Sequence, residues 1–394
     1  MRKSIGKRIL AVAMTLVTAA SMTACGGGDK KTSSGVDGDT IKIGVVCPIS
    51  GNSAIAGKYI THGVEVAEDE LGGKIKINDK EYNIEFVYMD NEASEEKTTN
   101  VFQKLIEEEK VMAIVGPDMS KCALAGGPIA QKAGCPVVAT FATNTAVTEV
   151  GDYIFRACFI DPFQGKMAAQ YIWESGYKTT AIMFNNADAY ATGLTDAFIE
   201  SYEALGGSVV AKEEYSGSDV KDYNVQLTKL ASANPECVFF PNLLGELGLQ
   251  IQQARSAGLT CPIVCGDSAD TPEVGEVAGS AVEGVAYVSA FSAESTTDSA
   301  KAFVEKYKEK FTDETPNSNA ELAYEATQMV IYALQNAKEL TREGVRDALA
   351  GIKDLELPSG KMSMADDRNP IKGGVVMEYD ADGVSHYVSS INPD

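Results

Sequence analysis

From residue 40 onward the chain alternates between short apolar runs and stretches with helical periodicity, with few breaks. Residues 41–47 read as a strand, followed by a turn at 48–51 and a helix over 56–71 that stops at Gly72 and Gly73. Residues 82–89 alternate with period two. Residues 94–109 are helical, with Val101, Leu105 and Ile106 on one face and acids on the other. The runs 111–115 and 136–139 are too short for helices and rich in β-branched residues, so they read as buried parallel strands flanking a helix over 123–133. After a short strand at 152–158 carrying Arg156, the series starts again. Helices over 164–174, 194–205, 223–233 and 246–257 alternate with strands at 179–184, 208–212, 237–240 and 262–265. A strand at 284–290 precedes helices over 300–310, 320–338 and 342–350, and residues 360–391 hold strand-like pieces around a turn at 380–383. Repeated βα units predict an α/β protein with parallel sheets covered on both faces. At 394 residues the chain exceeds the size at which a single core stops growing, which predicts two lobes.

In open α/β sheets ligands bind beyond the carboxyl ends of the strands. In the first half those ends are residues 116–121 and 140–145, which offer hydroxyls, backbone N–H groups and a helix N-terminus, the partners of a carboxylate. Ser120 is placed as the N-cap of its helix, a role that accounts for it equally well without a ligand. In the second half, residues 185–193 carry Tyr190, whose ring and hydroxyl suit a small ligand. Residues 266–270 supply Asp267 and Asp270 beside a glycine that permits close backbone approach. Asp270 also fits as a cap for the helix that follows Pro272. A carboxylate-binding lobe facing an acid-bearing lobe suits an amino-acid zwitterion.

Composition narrows the partners. Net charge is −22, and −26 once Arg2, Lys3, Lys7 and Arg8 of the first 24 residues are set aside. Such a surface argues against nucleic acid and against anionic lipid as partners. Those first residues form a basic segment, an apolar segment over 9–20 and a small-residue approach to Cys25, the pattern of a removable signal. Residues 26–39 have the small, polar composition of a flexible tether, and no later stretch is long and apolar enough to span a bilayer. Cleavage before Cys25 resembles the processing of bacterial lipoproteins, which implies a lipid on Cys25 and an extracytoplasmic protein anchored to the cell membrane. The other seven cysteines mostly sit in apolar runs, so buried thiols are expected, with Cys122–Cys135 and Cys261–Cys265 as pairings left open. No metal-ligand spacing, phosphate-binding loop or nucleophile elbow is present, and the only histidines, His62 and His386, neighbour no Ser or Cys nucleophile. No cofactor and no catalytic residue is expected. His62 is expected to face solvent.

Several segments together, IKIGVVCPISG, VGPDMS, ATFATNT, YIFR before DPFQG, NNADAYATGL, QQARSAGL, GDSADTPEV and PNSNAELAYEA, run along nearly all of residues 40–394. In this order and spacing the chain resembles type I periplasmic binding proteins of the leucine/isoleucine/valine-binding family. The resemblance implies two doubly wound parallel-sheet lobes joined by three crossovers, with the ligand in the interlobe cleft. It puts one lobe at 40–157 plus 288–373 and the other at 158–287 plus 374–394. It implies that Ser120 and Thr143 hold the ligand carboxylate with backbone groups of Phe141 and Ala142, that Met119 stands beside them, and that Tyr190 closes the second-lobe side. The ammonium-holding acid is expected within 267–270, Asp270 in preference to Asp267. Three positions depart from the family. Ala56 and Asn319 stand where aromatic residues are often found, and Asp118 stands where an apolar residue is. The lost rings and added polarity extend the expected ligand from aliphatic to polar or larger amino acids. The implied function is a monomeric, lipid-anchored substrate-binding protein of an ABC importer, closing by hinge bending and delivering a small amino acid to a membrane permease. A ligand-sensing subunit of a signalling system, and a surface-anchored amide hydrolase, are the alternatives.

Overall fold

The computed structural model describes residues 35–392. The expected signal segment 1–24, Cys25 and most of the tether lie outside the described residues. The last tether positions are corrected: Val36–Asp37 is a strand that pairs antiparallel with the start of Thr40–Cys47, so residues 36–39 form a hairpin on the first sheet.

Two seven-stranded sheets share one strand order. In the first, the parallel strands lie as Lys80–Asp90, Thr40–Cys47, Ala113–Val115, Val137–Ala139, Ile154–Arg156. In the second they lie as Ser208–Tyr215, Thr179–Asn185, Cys237–Phe240, Ile263–Cys265, Ala286–Ser289. Both are doubly wound, so each has a crevice where the strand order reverses. Their outer strands are antiparallel, which makes the sheets mixed rather than wholly parallel. Lys74–Ile77 folds back on Lys80–Asp90 through Asn78 and Asp79, both at positive φ, as a two-residue hairpin turn requires. Gly374–Tyr379 and Ser385–Ile391 extend the other sheet. The strand Ala286–Ser289 stays whole in the second sheet, pairing Val288 with Val376 and Ser289 with Val375, so the expected boundary between 287 and 288 falls inside a strand.

The chain passes between the lobes three times: after Ile154–Arg156, after Ala286–Ser289 and just before Gly374–Tyr379. Between the second and third passages, helices Asp298–Lys310 and Ser318–Asn336 return to the first lobe, where Ser318–Asn336 lies along Ala54–Leu71. Their approach is close enough that a side chain at Gly63 would put its Cβ 2.0 Å from the Ala320 carbonyl oxygen, so only glycine fits. The third passage is pinned by Lys372. Its buried ammonium lies 2.7 Å from Glu325 Oε2 and 3.3 Å from the Ala157 carbonyl, which sits on the first passage. Glu325 also accepts the backbone N–H and hydroxyl of Ser359. Burial and the neighbouring Glu325 hold Glu321 well above the usual carboxyl range. Burial acts the same way on Glu325, but the Lys372 charge and hydrogen bonds bring it below that range.

Two further expectations change. His62 does not face solvent: its ring stacks on Phe311 at 3.7 Å and its Nδ1 lies 2.9 Å from Glu314 Oε2. The seven described cysteines are free thiols, six of them buried, with neither open pairing formed.

Candidate functional site

The first lobe's contribution starts where strand Ala113–Val115 ends. Gly116 has φ +98°, and a Cβ there would lie 2.1 Å from the Val46 carbonyl oxygen, so this turn toward the cleft needs glycine. Asp118, Met119 and Ser120 then line the cleft. Ser120 is not the cap of its helix. It is the first residue of Ser120–Ala133, extended Met119 holds the cap position, and no side chain caps the first turn. The Ser120 hydroxyl instead accepts the Asn144 backbone N–H at 3.2 Å, tying the two strand-end loops together. The first turn's N–H groups, which have no intrahelical acceptor, therefore start at the cleft wall.

The second loop is held from beneath by Arg156, which is fully buried and donates to the carbonyls of Ala142 at 2.5 Å and Asn144 at 2.8 Å. Phe141 reaches the cleft. Ala142 and Thr143 are buried outside the lining set, and the Thr143 hydroxyl has no hydrogen-bond partner among the described residues. Ala56 and Asn319, on the first turns of Ala54–Leu71 and Ser318–Asn336, complete this wall.

In the second lobe Asp188 caps helix Ala189–Ala204, its Oδ1 accepting the N–H groups of Tyr190 at 3.0 Å and Ala191 at 3.1 Å. Asp188 and Tyr190 both line the cleft, with Leu243, Leu244 and Ser268. The Tyr190 hydroxyl donates to Asp267 Oδ1 at 2.8 Å, which leaves Asp267 buried beyond the lining set. Across the cleft, Asn144 Nδ2 donates to the Ala189 carbonyl at 2.7 Å.

Asp270, expected at a ligand ammonium, does not line this cleft in the structure. Its carboxylate accepts the hydroxyls of Tyr287 at 3.1 Å, Ser289 at 2.9 Å and Ser318 at 2.6 Å, and the Ser318 N–H at 2.9 Å. Tyr287 and Ser289 belong to the second sheet, whereas Ser318 starts a helix packed on the first lobe. Asp270 is thus a clasp between lobes, with its acceptor capacity already used. Of the residues picked from sequence, Met119, Ser120, Phe141, Tyr190 and Asn319 share the cleft, while Ala142, Thr143 and Asp267 stand outside its lining. Sequence reasoning missed Asp188, Leu243, Leu244 and Ser268 as site residues. Applying the strand-end rule to the loop after Cys237–Phe240 would have found the two leucines.

The space these residues line is small, a cavity of about 30 Å³ that is open in part to solvent. Three carboxyls in or next to it are raised by burial: Asp118 to about 6, Asp161 to about 7 and Asp267 to about 8. Asp118 Oδ1 and Asp267 Oδ2 have no hydrogen-bond partner among the described residues, and the Thr143 hydroxyl beside Asp161 offsets its rise only in part.

Residues 40–384 match the family model described as periplasmic binding protein. Among curated relatives, an amino acid binding protein of Pseudomonas aeruginosa is 29% identical over 61% of this chain and 63% of its own length. Among solved structures, the leucine binding protein LivK of Thermotoga maritima is 30% identical, with 90% of this chain and 99% of that one covered at a TM-score of 0.85. The branched-chain amino acid transporter substrate binding protein LivJ of Streptococcus pneumoniae, in complex with isoleucine, is 32% identical, with 90% and 100% covered at 0.83.

Two outcomes are expected from these geometries. Asp118, Asp161 and Asp267 hold protons in the folded chain that the unfolded chain releases near pH 4, so their contribution to stability is present at low pH and is lost as pH rises through their folded values. Urea unfolding of ligand-free protein should show stability falling steadily between about pH 5 and 8, and falling less in Asp267→Asn. Asp270→Ala strands buried donors from both lobes and should cost about 3 kcal/mol or more of unfolding free energy. An unchanged urea midpoint would remove the clasp assignment.

Proposed function

We propose a function from the premise that this chain belongs to the periplasmic binding protein family, with the fold of the substrate-binding proteins that serve branched-chain amino acid ABC transporters. The chain binds an α-amino acid between its lobes, closes on it by hinge bending at the three crossovers, and presents the closed form to a membrane permease. The observation that carries this reading is one cleft in which a helix N-terminus at Ser120 and acids of both lobes meet the same small space. Helix N-termini favour a carboxylate, and acids without donors favour an ammonium. The contact that crosses the cleft, Asn144 to Ala189, needs the lobes together, so a ligand touching both lobes selects that state. The isoleucine bound by the Streptococcus pneumoniae protein supports an amino acid as the ligand class. Binding without turnover is part of the reading, as is anchoring through a lipid on Cys25 at the extracytoplasmic face.

Thermal denaturation of the purified protein, stripped of carried-over ligand by partial unfolding, tests the binding step. Amino acids should raise the melting temperature by mass action. Silence across all amino acids, with a response to other small acids, would retain the fold and overturn the ligand class. Cys25→Ser should move the protein from the membrane to the soluble fraction with ligand affinity unchanged, and continued membrane association would refute the anchor.

A further inference from the structure

The cleft carries two acids in its lining, Asp118 and Asp188, and no Lys, Arg or His among the described residues that line it. The two acids differ in what they already hold. Asp188 has Oδ1 committed to capping its helix. Asp118 is 5% exposed; backbone N–H groups of its own loop, at Asp118 and Met119, serve its carboxyl in part, and its Oδ1 has no donor among the described residues. A carboxylate removed from water in this way needs a donor, and the space it faces is the ligand's.

Charge balance then discriminates among amino acids. The ligand carboxylate suits the Ser120 helix end, and an α-ammonium meets one acid. A ligand with an aliphatic side chain leaves the other acid bare against apolar atoms. A second cation on the ligand meets it. The cleft also supplies what a long basic side chain needs along its stem: Met119, Phe141, Leu243 and Leu244 offer apolar surface for methylenes, with Asp118 available to the charged end. The small Ala56 and polar Asn319 complete a wall that is only partly apolar. Net charge of −22 on the whole chain draws cations toward it.

We propose that the ligand is an α-amino acid with a cationic side chain, a lysine- or arginine-like molecule, and that Asp118 receives the side-chain cation. This inference rests on the amino-acid reading above and names the substrate class of the same site.

Calorimetric titration of the stripped protein with L-lysine, L-arginine, L-leucine, L-isoleucine and benzoate tests it, repeated with Asp118→Asn, which keeps the side chain's shape. The expected result is tightest binding of a basic amino acid, weakened on the order of a hundredfold by Asp118→Asn, as for truncation of one partner of a buried charge pair. Leucine or isoleucine binding to the native protein as tightly as the basic amino acids would overturn the inference while leaving the amino-acid reading intact. Basic amino acids binding tightest, but equally in Asp118→Asn, would remove Asp118 from the role. Benzoate binding with no response to any amino acid would overturn both readings. Competition between lysine and leucine on the native protein decides the substrate class even where the variant fails to fold.

Discussion

A carboxylate taken out of water must find donors, and the acids around this cleft meet that requirement in different ways. Asp270 takes every donor it can use from Tyr287, Ser289 and Ser318 and becomes part of the frame. Asp267 takes one, from Tyr190, and so fixes the position of a ring that lines the cleft. Asp118 lines the cleft with an oxygen that has no donor among the described residues. This ranking separates the acid that builds the site from the acids left to serve it. It also explains why neighbouring residues in one short loop, Asp267 and Asp270, have unrelated roles.

The frame makes such differences possible because it brings many helix starts to one place. Ala54–Leu71, Ser120–Ala133, Ala189–Ala204, Leu244–Ser256 and Ser318–Asn336 each present a residue of their first turn to the cleft. The shared strand order of the two sheets sets this up, since it places both reversal points on the cleft side. Arg156 then holds the 140–145 loop by its carbonyls, and Lys372 ties the first and third passages to the helix carrying Glu325. Buried cations therefore hold the backbone around the cleft, and the lining itself is left acidic. A ligand approaching it meets acid at both walls and apolar surface between them.

Periodicity alone made most of the architecture legible. The alternation of apolar runs with helical stretches identified all five parallel strands of each sheet and most of the helices between them, the short Ala146–Glu149 excepted, because burial on both faces leaves a strong signal in each short strand. It missed Lys74–Ile77, an edge strand with lysines at alternate positions, whose pairing depends on the turn at Asn78 and Asp79. It also assigned residues 36–39 to a tether, since their composition is that of a linker and only the adjacent strand turns them into a hairpin.

For the site, strand-end position was enough to select the loops of Ser120, Phe141 and Tyr190, because the carboxyl ends of parallel strands face the crevice whatever their side chains. Residue type was not enough to assign roles within a loop. Ser120 was read as a cap and instead bonds Asn144; Asp270 was read as a ligand partner, and its carboxylate joins residues of both lobes. Both outcomes depend on donors more than twenty residues away in the chain. By itself the sequence determined the two-lobed α/β fold and which loops meet, since hydrophobic burial is local and periodic. Only the tertiary structure decided which carboxylates are already satisfied, because that depends on which distant hydroxyls and N–H groups the folded lobes bring within hydrogen-bonding distance.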